Sequence, residues 1–183
     1  WEGPNGEMPE SGCCTASDSE DARKVASKLD IPYYVLDYTE SFSKNVVDNF
    51  TQMYAQGLTP NPCVECNRSV KFDHFITQAK KLNCDKVATG HYAKIIKKNN
   101  EFELHKADYL DKDQSYVLHM LKSSDLENIS FPLGEISKPE VRQIAARIGL
   151  KTAFKKDSQD ICFVGKKDYR SFVEKRIDLT SPG

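Results

Sequence analysis

The 183-residue sequence predicts an α/β fold built on a parallel sheet, followed by a small, mostly helical segment. Three observations carry this. Amphipathic helical stretches alternate with short runs of β-forming residues. The spacing between those runs is long enough for crossover helices. The alternation gives way near residue 107 to short helices and loops, which places an expected domain boundary there, between segments 1–107 and 108–183.

Residues 1–16 are rich in Gly and Pro and read as loop. Ser17-x-x-Glu20 has the spacing of a capping box. Ala22, Val25, Ala26 and Leu29 then share one helical face. Ile31 to Leu36 is an apolar run of β-formers, expected as a buried strand. A second helix is predicted from Ser41 to Tyr54, with Val46, Val47, Phe50 and Met53 inward and Gly57 ending it. Leu58 to Asn67 form a loop with two prolines and two cysteines. Phe72, Phe75, Ile76, Ala79 and Leu82 mark a third helix, and Lys86 to Thr89 a strand stopped by Gly90. Tyr92–Ile96 and Phe102–His105 flank a polar tip and predict a β-hairpin.

Beyond residue 107, Tyr116, Val117, Met120 and Leu121 predict a short helix, and Phe131-Pro132-Leu133-Gly134 a turn. Ser137-Lys138-Pro139-Glu140 combines an N-cap, an early Pro and a capping-box Glu. Val141, Ile144, Ala145 and Ile148 form the stripe expected to be buried, with Gly149 as the stop. Lys151 to Lys167 read as irregular, and a last helix is expected over about 168–176.

Composition excludes little. Hydrophobic residues make up 39% and charged residues 29%, an ordinary globular balance. No stretch approaches the roughly 18 consecutive apolar residues of a membrane span, so no membrane partner is expected. The first residues have neither the basic nor the apolar region of a signal peptide, and there is no initiator Met. The chain therefore reads as a fragment or a trimmed protein. Net charge is −1, but it is unevenly spread. Residues 151–176 hold eight basic and four acidic side chains. That excess suits either phosphate neutralisation or a solvated lysine-rich surface.

Six cysteines, at 13, 14, 63, 66, 84 and 162, favour metal-binding or catalytic thiols in a reducing compartment over a disulfide framework. Cys63-Val64-Glu65-Cys66 is a C-x-x-C beside a helix start, suited to redox or metal work. Half a zinc site is the competing reading, and no second C-x-x-C or H-x₃₋₅-H completes it. Cys162, between Ile161 and Phe163, would alone read as core. Its lysine-rich flank instead suits a lowered thiol pKa.

Asn61-Pro62-x-x-x-Cys66-Asn67, Thr89-Gly90-His91-Tyr92-Ala93, Lys112-Asp113-Gln114-Ser115-Tyr116, Phe131-Pro132-Leu133-Gly134 and Lys156-Asp157-Ser158-x-x-Ile161-Cys162-Phe163 follow one another at characteristic spacing. In this the chain resembles the tRNA-specific 2-thiouridylases, of the PP-loop ATP pyrophosphatase (adenine nucleotide α-hydrolase-like) superfamily. The resemblance runs from Cys14-Thr15 onward. It implies a partial doubly wound parallel sheet followed by a central tRNA-binding domain.

The resemblance also implies an activity: ATP, with Mg, adenylates the C2 oxygen of a wobble uridine in tRNA, and a persulfide sulfur then attacks C2. By position Cys162 matches the persulfide carrier and Cys66 its resolving partner. Asn61, Pro62 and Cys63 match the segment meeting the extruded base. Gly90 matches a backbone contact to adenosine, and Lys112, Asp113 and Gln114 a tRNA-contacting turn. The implied partners are tRNA and a sulfur-donor protein, a cysteine desulfurase or sulfur relay. The implied location is the bacterial cytoplasm, with mitochondrial relatives as the other case. Competing readings are a non-catalytic metal- or RNA-binding module and another PP-loop enzyme.

Two departures stand out. Cys63 occupies a position where the family often has Asp, so Cys63, Cys66 and Cys162 together raise iron–sulfur ligation as a further arrangement. The S-G-G-x-D-S phosphate loop is absent, and so is a C-terminal β-barrel. This chain alone is therefore expected to bind ATP poorly and not to turn over.

Overall fold

A computed structural model describes residues 15–155, 157, 161–164 and 169–177. The expectations for residues 1–14, including Cys13 and Cys14, and for Lys156, Lys166 and Lys167 lie outside the described residues. The chain forms two compact units. One comprises residues 1–65 with 156–183, the other residues 66–155.

In the first unit, helix α1 (Ala16–Lys28) starts two residues earlier than expected. Thr15, not Ser17, is the N-cap: its hydroxyl accepts from the Asp18 amide at 3.1 Å and Asp18 answers the Thr15 amide at 3.3 Å. Two overlapping x-x-acid patterns compete here, and the one nearer the chain entry is used.

Residues 31–36 are the main correction in this unit. They form no strand, and Ile31, Tyr34, Val35 and Leu36 are all exposed. A parallel strand needs a neighbouring strand that local sequence does not supply, and none pairs with it among the described residues.

The predicted second helix is a continuous helical run in three parts. These are α2 (Thr39–Phe42), a π-helical stretch π1 (Ser43–Asp48) and α3 (Asn49–Ala55). Phe42, Val46, Val47 and Phe50 are buried, as the apolar stripe requires. Gly57 follows at φ +73°, a conformation glycine adopts at little cost. A short α4 (Pro62–Glu65) comes next, and α8 (Tyr169–Glu174) returns to the same core. Phe163 meets Phe42, Phe50 and Phe172 at centroid distances of 5.8, 5.2 and 5.3 Å, and Tyr169 stacks on Tyr54 at 5.2 Å. These edge-on and stacked aromatic contacts form the core of the unit.

The second unit opens with a π-helical stretch π2 (Cys66–Phe72) running into α5 (Asp73–Lys81). Strand β1 (Val87–Ala88) pairs in parallel with β4 (Ile129–Ser130), a strand not foreseen in the sequence. The hairpin is as predicted: β2 (Ala93–Lys98) and β3 (Glu101–Lys106) pair antiparallel from Ala93↔Lys106 to Lys98↔Glu101. Asn99 and Asn100, at φ 48° and 69°, make the two-residue turn, and asparagine tolerates that region.

The short helix expected from Tyr116 to Leu121 is reduced to a 3-10 turn over Ser115–Val117, and a separate 3-10 turn covers Leu110–Lys112. Helix α6 (Ser123–Leu126) precedes β4. The turn over Phe131-Pro132-Leu133-Gly134 is closed by the Gly134 amide donating to the Phe131 carbonyl at 3.1 Å. Helix α7 (Lys138–Arg147) carries the predicted Ser137/Glu140 capping box, and Gly149 ends it at φ 71°. Its apolar stripe is not buried, however: Ile144 and Ile148 are exposed, and Val141 and Ala145 are half-buried. Periodicity marks a face fit for burial without specifying what covers it.

No unit boundary falls at residue 107. Ala107 donates to Asp113 Oδ1 at 2.8 Å. Tyr92 and Gln114 exchange two bonds, at 2.8 and 3.1 Å, binding the turns after 107 to the residue that leads into β2.

Candidate functional site

In the first unit, Asn61 organises its own segment. Its Oδ1 accepts from the amides of Cys63 and Val64, each at 3.2 Å, and so caps α4. Pro62 is buried at the first helical position, while Cys63 is exposed. The α4 segment packs on π1. Cys162 lies in a turn closed by the Val164 amide donating to the Ile161 carbonyl at 3.1 Å. The adjacent Phe163, buried among Phe42, Phe50 and Phe172, fixes that turn to the same helical run. The structure thus places Cys162 as a half-buried thiol beside an aromatic anchor, not as a core residue.

In the second unit, Cys66 is a half-buried thiol at the first position of π2. π-helical turns frequently occur at functional sites. The next residue, Asn67, is 2% exposed, and its Nδ2 donates to the Val117 carbonyl at 3.3 Å. Its Oδ1 has no hydrogen-bond donor among the described residues.

Gly90 follows β1. A Cβ built there meets only Leu133 Cδ1, at 3.8 Å, an ordinary contact. Neither packing nor a left-handed φ requires glycine at this position, so its bare backbone is open to an approaching group.

Lys112, Asp113 and Gln114 are half-buried, and two of them are engaged internally. Asp113 accepts from Ala107 and, at 2.7 Å, from the Ser115 hydroxyl. Burial pushes the Asp113 carboxyl up. Bonds from Ser115 and Ala107 and the charge of Lys106 outweigh this, so the net shift is downward. Gln114 accepts from the Tyr92 amide. These two side chains hold the turn in place.

His91 received no role from its sequence, although it lies within Thr89-Gly90-His91-Tyr92-Ala93. It is buried against Phe72 and Phe131, at 5.9 and 6.0 Å, with Nδ1 2.8 Å from the Thr89 hydroxyl. Burial and then the charge of Lys71 push its pKa down to about 4, so it is neutral at pH 7. The available signal for both Asn67 and His91 was their place inside Asn61-Pro62-x-x-x-Cys66-Asn67 and Thr89-Gly90-His91-Tyr92-Ala93. Among the described residues no group of three His, Cys, Asp or Glu side chains is gathered as metal ligands. No described helix is long and apolar enough to cross a membrane.

A parallel pair, β1 with β4, an antiparallel hairpin and flanking helices make the second unit an α/β arrangement. Residues 1–166 match the tRNA methyl transferase HUP domain family, and the chain belongs to that family. The match runs through residue 107 without a break.

The relatives are consistent with one another. The chain is 45% identical to the tRNA-specific 2-thiouridylase MnmA of Leptospira interrogans serogroup Icterohaemorrhagiae over 183 residues, 100% of this chain and 49% of that protein. It is 47% identical to the Chloroflexus aurantiacus protein of that name over 174 residues, 94% of this chain and 48% of the relative. Against the Rickettsia peacockii protein it is 50% identical over 163 residues, 89% and 45% of the two chains. The chain spans about half the length of the curated relatives it matches.

Proposed function

We propose that the chain is the sulfur-handling portion of an ATP-dependent tRNA-uridine 2-sulfurtransferase. The similarity of all 183 residues to proteins named tRNA-specific 2-thiouridylase carries this reading. ATP with Mg activates the C2 oxygen of a wobble uridine as an adenylate, and Gly90 offers its backbone to the adenosine. The terminal sulfur of a Cys162 persulfide attacks C2, and AMP leaves with the oxygen. The Cys66 thiolate then attacks Cys162 Sγ, which releases the thiocarbonyl and leaves a Cys66–Cys162 disulfide for a thiol reductant to reopen. Asn61, Pro62 and Cys63 meet the extruded base, and Lys112 belongs to a tRNA-facing turn that Asp113 and Gln114 hold in shape. In this reading the chain contributes to a doubly wound PP-loop domain and to a central tRNA-binding segment. A cysteine desulfurase or sulfur relay supplies the persulfide, in the bacterial cytoplasm.

Thiolation in the full-length protein tests the assignment, with 2-thiouridine in digested tRNA measured by mass spectrometry. Cys162→Ser and Cys66→Ser are each expected to abolish multiple turnover. Retained thiolation in Cys162→Ser overturns the assignment in favour of another PP-loop activity. Iron–sulfur absorption in the wild-type protein, lost in Cys63→Ala, would instead give Cys63, Cys66 and Cys162 the role of cluster ligands.

A further inference from the structure

The Phe131-Pro132-Leu133-Gly134 turn has no part in the sulfur chemistry above, yet it is packed with unusual closeness. A Cβ on Gly134 would lie 2.1 Å from the Ala93 carbonyl oxygen and 2.7 Å from Lys94 Cγ. Only glycine lets the turn press onto the hairpin in this way. A cavity of about 300 Å³ lies where the turn and hairpin meet, with Pro132 and Glu135 on one side and Lys94 and Lys97 on the other. It includes neither Gly90 nor Lys112, Asp113 or Gln114.

Its lining is mixed: Ile95, Phe102 and the buried Ile129 and Phe131 supply apolar atoms, and Lys86, Lys94, Lys97 and Glu135 supply charge. Lys94 is answered by an ion pair with Asp108. Lys97 Nζ sits 5.4 Å from the Phe102 ring centre, a cation–π contact that keeps the ammonium at the rim without neutralising it. Lys86, at the rim, makes no ion pair among the described residues. With Glu135 opposing, the rim retains one net positive charge. A nucleoside triphosphate brings several negative charges and would be poorly matched. One phosphodiester joined to one planar base matches both the charge and the apolar part of the lining, the combination that single-stranded nucleic-acid sites use.

We propose that this cavity is an RNA-binding subsite that takes one unpaired nucleotide. Its phosphate lies between Lys86 and Lys97, and its base rests on the apolar part of the lining beside Pro132. The proposal rests on the tRNA-modifying reading above and adds a contact that the reading does not contain.

The test is tRNA affinity of the full chain as a function of salt, for wild type, Lys86→Gln/Lys97→Gln and Glu135→Gln, with polyglutamate as a control competitor. The double variant is expected to bind tRNA roughly 10-fold more weakly, with a log–log salt slope shallower by about 1. Glu135→Gln, an exposed substitution that spares the fold, is expected to bind about 3-fold more tightly. Wild-type binding that neither variant changes overturns the subsite alone. Equal sensitivity of tRNA and polyglutamate binding also overturns it, as a non-specific anion surface. A wild-type chain that binds no tRNA overturns both the subsite and the reading beneath it.

Discussion

The hairpin β2–β3 and the segment 31–36 are both short runs of β-forming residues, and they are held in opposite ways. The hairpin is hydrogen-bonded along its whole length and closed by its own turn. Gly134 seals it from one side, and the turns after residue 107 are bonded to Tyr92, the residue that leads into its first strand. Segment 31–36 meets α1 through the Tyr33 hydroxyl, which donates to the Ser19 carbonyl at 2.9 Å, while Val35 is 72% exposed. The difference is one of range. An antiparallel pair obtains its partner from the next few residues, whereas a strand of a parallel sheet depends on chain elsewhere.

The largest effect is expected where the hairpin is sealed. Gly134→Ala places a methyl against the Ala93 backbone, which no rotamer change relieves. A loss of about 3 kcal/mol is expected from overpacking of this kind, read from urea unfolding. A loss under 1 kcal/mol would show that the turn moves freely and that the hairpin is held by its ladder alone.

Next is the buried imidazole behind the hairpin. His91 has a folded pKa of about 4 against an ordinary 6.5. Between those values the unfolded chain binds the proton and the folded chain does not. Stability is therefore full above pH 6.5 and is lost as pH falls toward 4, by roughly 3 kcal/mol over the window. His91→Gln removes this slope, so subtracting the two pH–stability curves isolates it from carboxylates such as Asp113. Identical slopes would mean that His91 becomes protonated in the folded protein.

The same distinction of range explains what could be read in advance. The hairpin, the Ser137/Glu140 cap of α7 and the glycine stops at 57 and 149 were legible because each is decided within a few residues. The α1 cap was misplaced by two positions because Thr15 and Ser17 offer similar local chemistry. Strand β4 was missed because two residues carry no periodicity. Of the site, the cysteines and the Asn61–Cys63 segment were visible as motifs. The internal duties of Asp113 and Gln114 and the burial of Asn67 and His91 depend on residues distant in sequence or in packing.

The smallest effect is expected at the other end of the comparison. Val35 contributes almost no buried area, so Val35→Thr removes apolar surface that is already in water. Thr keeps the β-branched shape and the extended preference, which leaves only the exposed methyl to change. Stability of the chain should shift by less than about 0.5 kcal/mol, as for surface substitutions without special contacts. A loss above about 1 kcal/mol would mean that Val35 is covered in solution, and that 31–36 has found a strand partner absent from the packing around α1. Repeating the measurement at tenfold dilution separates the two possible sources of that partner. A concentration-dependent loss places it on a second copy of the chain, and a concentration-independent loss places it within the same chain, which would erase the contrast with the hairpin.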